Sequence, residues 1–332
     1  MKEQPMQMGI IGCGDFLRWM APGIKASREV AVKWLFDPMR ERAERYAAEL
    51  GGQPAESAKA IFADPEVEIA CLFVPPWLRA DLWEQAARAG KHILATKPLA
   101  PAAAECEHIA ALAKNAEARG LRSGVLYGRS GDGWPMALKR LLNSGEIGRL
   151  ALYRQDWLHH YPQWNNWALD PQKNGGPFMD AMIHNLNLAR YLMGRPVTAA
   201  SFYSEKLAHP NLTCADTETL KLTFAENGSA LLFITWAADL AVHSTDGNNR
   251  EHIDIFYLIT DQGWRITKEW GQDGARIAAS RGGEQRAWPA ASLGGSVFDR
   301  FATAARSGGP LPEDIVSVEM AAEDIRLLRS LE

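Results

Sequence analysis

The sequence predicts two domains: an α/β domain with a parallel, doubly wound sheet, followed by an α+β domain built on an antiparallel sheet. Three observations lead there. Over the first 125 residues, short apolar runs alternate with helical stretches, as for strands buried on both faces of a sheet. A glycine turn, Gly12-Cys-Gly14, closes the first apolar run. After about residue 150, apolar runs come in pairs around tight turns, the mark of hairpins. The boundary is set at 125/126, giving domains 1–125 and 126–332.

Each element has its own signal. MQMGII is an apolar strand ending in glycines, and VAVKWLF (30–36) is a second strand. RERAERYAAEL (40–50) is a charged amphipathic helix stopped by Gly51 and Gly52. VEIACLFV (67–74) is a buried strand ended by Pro75 and Pro76. RADLWEQAARAG is a helix with Gly90 at its stop, and KHILAT the next strand. A long helix, PAAAECEHIAALAKNAEARG, runs to Gly120, and LRSGVLYG is one more strand. GRLALYRQDWLHH reads as the strand that leaves the first domain. Residues 177–194 form one helix, with Pro177 at its start and Gly194 past its end. Residues 216–238 are a hairpin around Glu-Asn-Gly, and 251–270 a second hairpin turned near Asp261–Gly263. Residues 271–296, rich in Gly, Ala and Ser, are expected to be loop.

Composition narrows the function. The chain has 332 residues, 47% hydrophobic and 23% charged, with a formal net charge of −4. No basic block appears, which argues against a nucleic-acid partner. No apolar run reaches the roughly 18–20 residues of a membrane span. The N-terminal apolar stretch is too short for a signal peptide. The four cysteines share no CxxC spacing, which fits reduced thiols in a cytoplasmic protein.

Gly12 and Gly14 sit between a strand and a helix, where backbone N–H groups and the helix N-terminus receive a pyrophosphate. The third position of the glycine pattern is Leu17, which would hold the helix further from the strand. Asp37 ends the second strand, 23 residues past Gly14, close to the spacing of about 20 for an acid that binds ribose hydroxyls. That acid favours NAD. Arg40 and Arg42 lie nearby and leave NADP open. The other reading of Asp37 is a strand-end turn with Pro38.

One lysine is out of place. Lys97 follows KHILAT directly and precedes Pro98, at a strand end inside an α/β layer. In order, GIIGCG, Asp37, VPPWLR, AGKHILATKPLA, GEIG and GGPFMDAMIH resemble the Gfo/Idh/MocA oxidoreductase family over nearly the whole chain. The resemblance implies an N-terminal Rossmann domain and a C-terminal domain with an open, mostly antiparallel sheet. It also implies that Lys97 contacts both nicotinamide ribose and substrate, and that Asp180 and His184 line the substrate pocket. The chemistry agrees. A histidine suits the base that takes a hydroxyl proton as hydride leaves the carbon. A lysine at the sheet's carboxyl edge can stabilise alkoxide charge. Asp180 and His184, four apart, share a helix face.

Expected cofactor contacts are Gly12, Gly14, Asp15, Phe16, Asp37, Val74, Pro75 and Lys97. Expected catalytic residues are Lys97, Asp180 and His184. The run WLHHYPQWNNW adds Trp157, His159, His160, Tyr161, Trp164 and Trp167. Aromatic faces there would bind a sugar ring, so Trp157, His160 and Trp167 join Asp180 and His184 as substrate contacts. The same aromatics could instead fill a core or a subunit interface. Lys97 could cap the sheet edge through an ion pair, and Asp180 and His184 could be a helix-face pair or, with His159 and His160, metal ligands. No metal is expected. Arg129 is either a contact for an acidic substrate or a solvated arginine.

Several positions depart from the family pattern. Thr96 replaces a glutamate, Val74-Pro75-Pro76 a threonine-proline-asparagine, and Arg79 a histidine. Asn187 replaces an acid, and Ala168 an arginine. The expected function is an NAD(P)-dependent dehydrogenase of a sugar, inositol or related polyol, as a homo-dimer or homo-tetramer. The alternatives are an NAD-dependent glycoside-cleaving enzyme of the same family and a non-enzymatic nucleotide-binding protein.

Overall fold

The computed structural model describes residues 4–331 apart from 132, 163–165, 241–252, 273 and 292. The chain forms two compact units, Met1–Ser130 with Gly294–Arg326, and Gly131–Leu293 with Leu327–Glu332.

The first unit opens with β1 (Met6–Ile11), α1 (Asp15–Lys25), β2 (Val30–Phe36) and α2 (Arg40–Leu50). Gly51, with φ 85°, stops α2 in the left-handed conformation glycine tolerates. Two short elements without a clear periodic signal follow, β3 (Gln53–Pro54) and α3 (Ala58–Ala63). Then come β4 (Ile69–Leu72), α4 (Arg79–Arg88), β5 (His92–Thr96), α5 (Ala103–Glu117) and β6 (Ser123–Leu126). Their pairings are all parallel, in the order β6-β5-β4-β1-β2-β3. All four residues of β4 are buried, as the near-continuous apolar run requires. The order reverses between β1 and β4, so the segments leaving those two strands flank the crevice where such sheets take ligands.

The second unit contains α6 (Trp134–Ser144), β7 (Leu150–Leu158), α7 (Ile183–Met193), β8 (Val197–Glu205), β9 (Thr217–Phe224) and β10 (Gly228–Thr235). It continues with β11 (Ile253–Thr260), β12 (Arg265–Gly271), β13 (Gly274–Arg281) and β14 (Glu284–Pro289). The eight strands run in the order β14-β13-β12-β11-β7-β10-β9-β8. Both expected hairpins form, β9–β10 and β11–β12. Glu226 and Asn227 turn the first with φ of 56° and 64°, within a three-residue turn between the paired Phe224 and Gly228. Among the described residues, only the β7–β10 pairing in this sheet is parallel. Among the described residues, no helix is long and apolar enough to cross a membrane.

Three expectations are corrected. Residues 271–296 are not loop: β13 and β14 form a hairpin turned at Gly282 and Gly283. Small residues hid the strand period, because Ala275, Ile277 and Ala279 alternate inward with only one large side chain among them. Residues 177–194 are not one α-helix, since Phe178–Met182 is a π-helical turn leading into α7. The chain division is also different from 125/126. The first unit runs to Ser130, and Gly294–Arg326 returns to it through α8 (Val297–Ser307), β15 (Val316–Ser317) and most of α9 (Val318–Arg329). The return has a physical cause. Phe298, Phe301 and Ala302 enter the core beside Leu17, Ala21 and Ile24, and β15 pairs with β6. Asp299 accepts hydrogen bonds from the Ser27 hydroxyl (2.5 Å) and the Arg28 and Glu29 amides (3.0 and 3.1 Å).

Candidate functional site

The glycine turn is built for close approach. Gly12 has φ +96°, and a Cβ there would lie 2.3 Å from the Phe73 carbonyl oxygen, so no other residue fits without moving backbone. Its N–H donates to the Phe36 carbonyl at 2.8 Å. Gly14 is the N-cap of α1, and a Cβ on it would meet nothing within 4 Å. The face in front of the helix N-terminus is therefore open. Asp37 clamps the turn: its two oxygens accept the Cys13 amide (2.8 Å) and the Met39 amide (2.9 Å). Phe16 packs edge-on against Phe73, ring centres 5.0 Å apart. Asp15 is exposed in the first turn of α1, 3.9 Å from Arg18. Leu17 is fully buried in the core, so the missing third glycine is used for packing. Burial, then Asp37, pushes the Cys13 thiol up to about 12, which keeps it neutral. Of the two arginines near Asp37, Arg40 bonds Glu44 at 2.8 Å, and Arg42 is exposed.

The ends of β4 and β5 come next. Val74 is buried, and Pro76–Leu78 makes a short 3-10 turn into α4. The Lys97 amide donates to the Leu126 carbonyl at 3.2 Å, while Pro98, Leu99 and Ala100 are buried behind it. The Lys97–Pro98 peptide is cis. Arg79, which stands where the family pattern has histidine, is wholly buried. It donates to the carbonyls of Val74 (2.6 Å), Leu99 (3.1 Å) and Pro98. Burial pushes its guanidinium down to about 10, still charged at neutral pH. Arg129 is not solvated: it is buried in a 3-10 turn and reaches the Met320 sulfur.

In the second unit, Gly175 and Gly176 take φ of 94° and 102° and lead into the π turn. Its first N–H, on Phe178, donates to the buried Glu218 carboxylate at 2.7 Å. The π turn and α7 pack on β7 and β10 and are buried nearly all round. Asp180, Ala181, His184 and Leu188 form the half-exposed stripe on this rod. The structure thus brings Asp180 and His184 onto one face. Asn174, fully buried, donates to Asp180 at 3.3 Å.

Trp157 is half-buried on β7, edge-on to His159 at 6.4 Å. His160 stacks on Tyr161 at 4.1 Å, and both rings meet His209 edge-on at 5.2 and 4.9 Å. Trp167 is half-buried in a 3-10 turn. Trp164 lies outside the described residues. Sequence reasoning missed Asn174, Glu218 and His209. Only Asn174, just before the paired glycines, had a local signal. Among the described residues, no group of three or more His, Cys, Asp or Glu could hold a metal ion. Lys97 belongs to the first unit, and Asp180 and His184 to the second.

Residues 6–124 match the oxidoreductase family with an NAD-binding Rossmann fold, and residues 136–248 match the GFO/IDH/MocA C-terminal domain. The chain belongs to the Gfo/Idh/MocA family. The scyllo-inositol 2-dehydrogenase (NAD(+)) of Bacillus subtilis is 29% identical over 210 residues, 63% of this chain and 60% of that protein. Inositol 2-dehydrogenase 2 of Saccharopolyspora erythraea is 30% identical over 67% of this chain and 64% of its own length. The chain thus spans less than two thirds of these Gfo/Idh/MocA relatives. Among solved structures, the aldose-aldose oxidoreductase from Caulobacter crescentus complexed with glycerol superposes with a TM-score of 0.82. It is 20% identical, with 98% of this chain and 96% of that one covered. At that identity the likeness concerns the fold.

Proposed function

We propose that this protein is an NAD(P)-dependent oxidoreductase that moves a hydride between the nicotinamide and a hydroxyl or keto carbon of a sugar, inositol or related polyol. One observation carries it: a glycine turn clamped by Asp37 at the sheet's switch point, in a chain whose helix stripe presents Asp180 and His184. When bound, the nicotinamide supplies the hydride acceptor.

The residues have distinct tasks. Gly12, Gly14 and the α1 N-terminus receive the pyrophosphate, with Asp15 and Phe16 beside it. Asp37 keeps unused lone pairs for ribose hydroxyls and repels an added phosphate, which favours NAD over NADP. Val74 and Pro75 border the nicotinamide side. His184 takes the hydroxyl proton as the C–H electron pair leaves and the carbonyl forms. Lys97 donates to a substrate oxygen and stabilises charge developing there. Asp180, steadied by Asn174, orients His184 or a substrate hydroxyl. Trp157, His160 and Trp167 offer ring faces to the sugar. We further read the first unit as chiefly cofactor-binding and the second as chiefly substrate-binding, and the protein as cytoplasmic. The sheet face opposite α7 supports a homo-dimer or homo-tetramer: Leu231 and Phe233 are half-buried there, and Tyr203 and Ile255 are 61% and 44% exposed.

A panel of inositols and aldoses tests this, with NAD and with NADP, by following nicotinamide absorbance. Reduction by at least one polyol, lost in His184→Ala while nucleotide binding persists, is the expected result. A His184→Ala variant as active as the parent protein would remove the base assignment.

A further inference from the structure

We propose that Arg79 is a positioning residue that fixes Lys97 for its work, by pinning the backbone at the ends of β4 and β5 together. The inference rests on the role given to Lys97 above. Its observation is separate from that role. One guanidinium spans Val74 after β4 and Pro98 and Leu99 after β5. These are the two segments that border the crevice beside the nicotinamide in the proposed reading. Lys97 lies between its own anchor on Leu126 and the two carbonyls Arg79 holds. The lysine backbone is thus tied on both sides, and only its side chain extends from a buried frame.

The chemistry of the anchor supports a positioning role over a stabilising one. Arg79 is 0% exposed, and its hydrogen-bond partners among the described residues are three carbonyls and no carboxylate. A buried charge without a counter-charge is costly to hold. A fold selecting only for stability would use an apolar side chain there and let the carbonyls bond elsewhere. A guanidinium offers what shorter side chains do not: a planar fork that is charged at every physiological pH and reaches several acceptors at once. Arginine therefore holds the two segments in one relative position that does not titrate. Lysine at this site would keep the charge but lose the fork.

The experiment uses Arg79→Lys and Arg79→Gln, each alone and with Lys97→Ala. Trace acetylation with acetic anhydride, read by mass spectrometry, reports the reactivity of Lys97 against the exposed Lys59 and Lys114. Both Arg79 variants should change the relative labelling of Lys97 by more than about threefold. Turnover of the best polyol should fall about 10–100-fold, as for an ångström-scale misplacement, with NADH affinity changed far less. In the Lys97→Ala background the same substitutions should cost less than about threefold, because the two residues act as one unit. Unchanged Lys97 labelling, or an equal loss in both backgrounds, would show that Arg79 is a structural staple and overturn the inference. So would failure of both variants to fold. If the parent protein turns over no polyol, the proposed reaction falls, and the labelling arm still decides whether Arg79 sets the position of Lys97.

Discussion

Replacing Gly12 by alanine probes the nucleotide turn most sharply. Two costs follow from its geometry. A side chain at φ +96° is strained by about 1–3 kcal/mol. The new methyl carbon would sit 2.3 Å from the Phe73 oxygen and 2.7 Å from its carbonyl carbon, so backbone must move. Overpacking of that kind costs about 1–3 kcal/mol more. The sum is a destabilisation of about 2–6 kcal/mol, with the turn displaced by about an ångström. Urea unfolding measures the first effect. Energy transfer from tryptophan to NADH measures the second, where a fall in affinity of at least about tenfold is expected. Gly14→Ala is the internal control. Its Cβ meets nothing and its φ is −88°, so stability should fall by only about 1 kcal/mol or less, the cost of alanine at a helix N-cap. NADH affinity should fall nevertheless, because the methyl group occupies the face the pyrophosphate approaches. A Gly12→Ala protein of parental stability and affinity would show that this turn does not hold the nucleotide, as would undiminished NADH binding by Gly14→Ala.

Other outcomes are expected. Asp37→Ser removes the clamp on Cys13 and Met39 and the charge that repels a phosphate. NADH affinity should fall, and the NADPH-to-NADH affinity ratio should rise by about tenfold or more, in the same titration. Asn174→Ala deletes the donor to Asp180, which should lower turnover about tenfold with NADH binding intact. His92, whose Nδ1 accepts the Arg122 amide at 2.9 Å, is pushed down to about 4 by burial and then by Arg122. A base held below its unfolded pKa gives stability that is present above about 6.5 and lost as pH falls toward about 4. Discounted for partial exposure, the loss is about 2 kcal/mol across that window. His92→Asn keeps an acceptor without the titration, so its unfolding free energy should fall less over the same range.

The sequence carried the parts of the fold that obey a simple period. The buried strands β1, β2, β4 and β5 were legible because each is a dense apolar run closed by glycine, proline or a turn. The β9–β10 hairpin was legible because Glu-Asn-Gly fits its turn. The β13–β14 hairpin was not, since alanines and serines give no contrast between faces. The return of 294–326 was invisible for a different reason. Phe298 and Phe301 mark a buried helix face, but no local pattern says which core receives it. In the candidate site, single residues with a spacing could be read: Gly12, Gly14, Asp37, Lys97, Asp180 and His184. Their supports could not. Glu218 lies forty residues from the amide it caps, and Arg79 meets Pro98 and Leu99 only because β4 and β5 are neighbours. The π turn was also hidden, as its sequence has the same period-four apolar spacing as an α-helix.

Hydride transfer from a polyol carbon to a nicotinamide carries the substrate's own hydrogen into the reduced cofactor. Its most direct test is to incubate the protein with NAD and inositols or aldoses deuterated at carbon, then weigh the reduced cofactor by mass spectrometry. The expected product is reduced nicotinamide carrying deuterium from the substrate carbon, with none formed by the His184→Ala variant. Nucleotide that binds but stays oxidised with every polyol, or becomes reduced without the label, would contradict it.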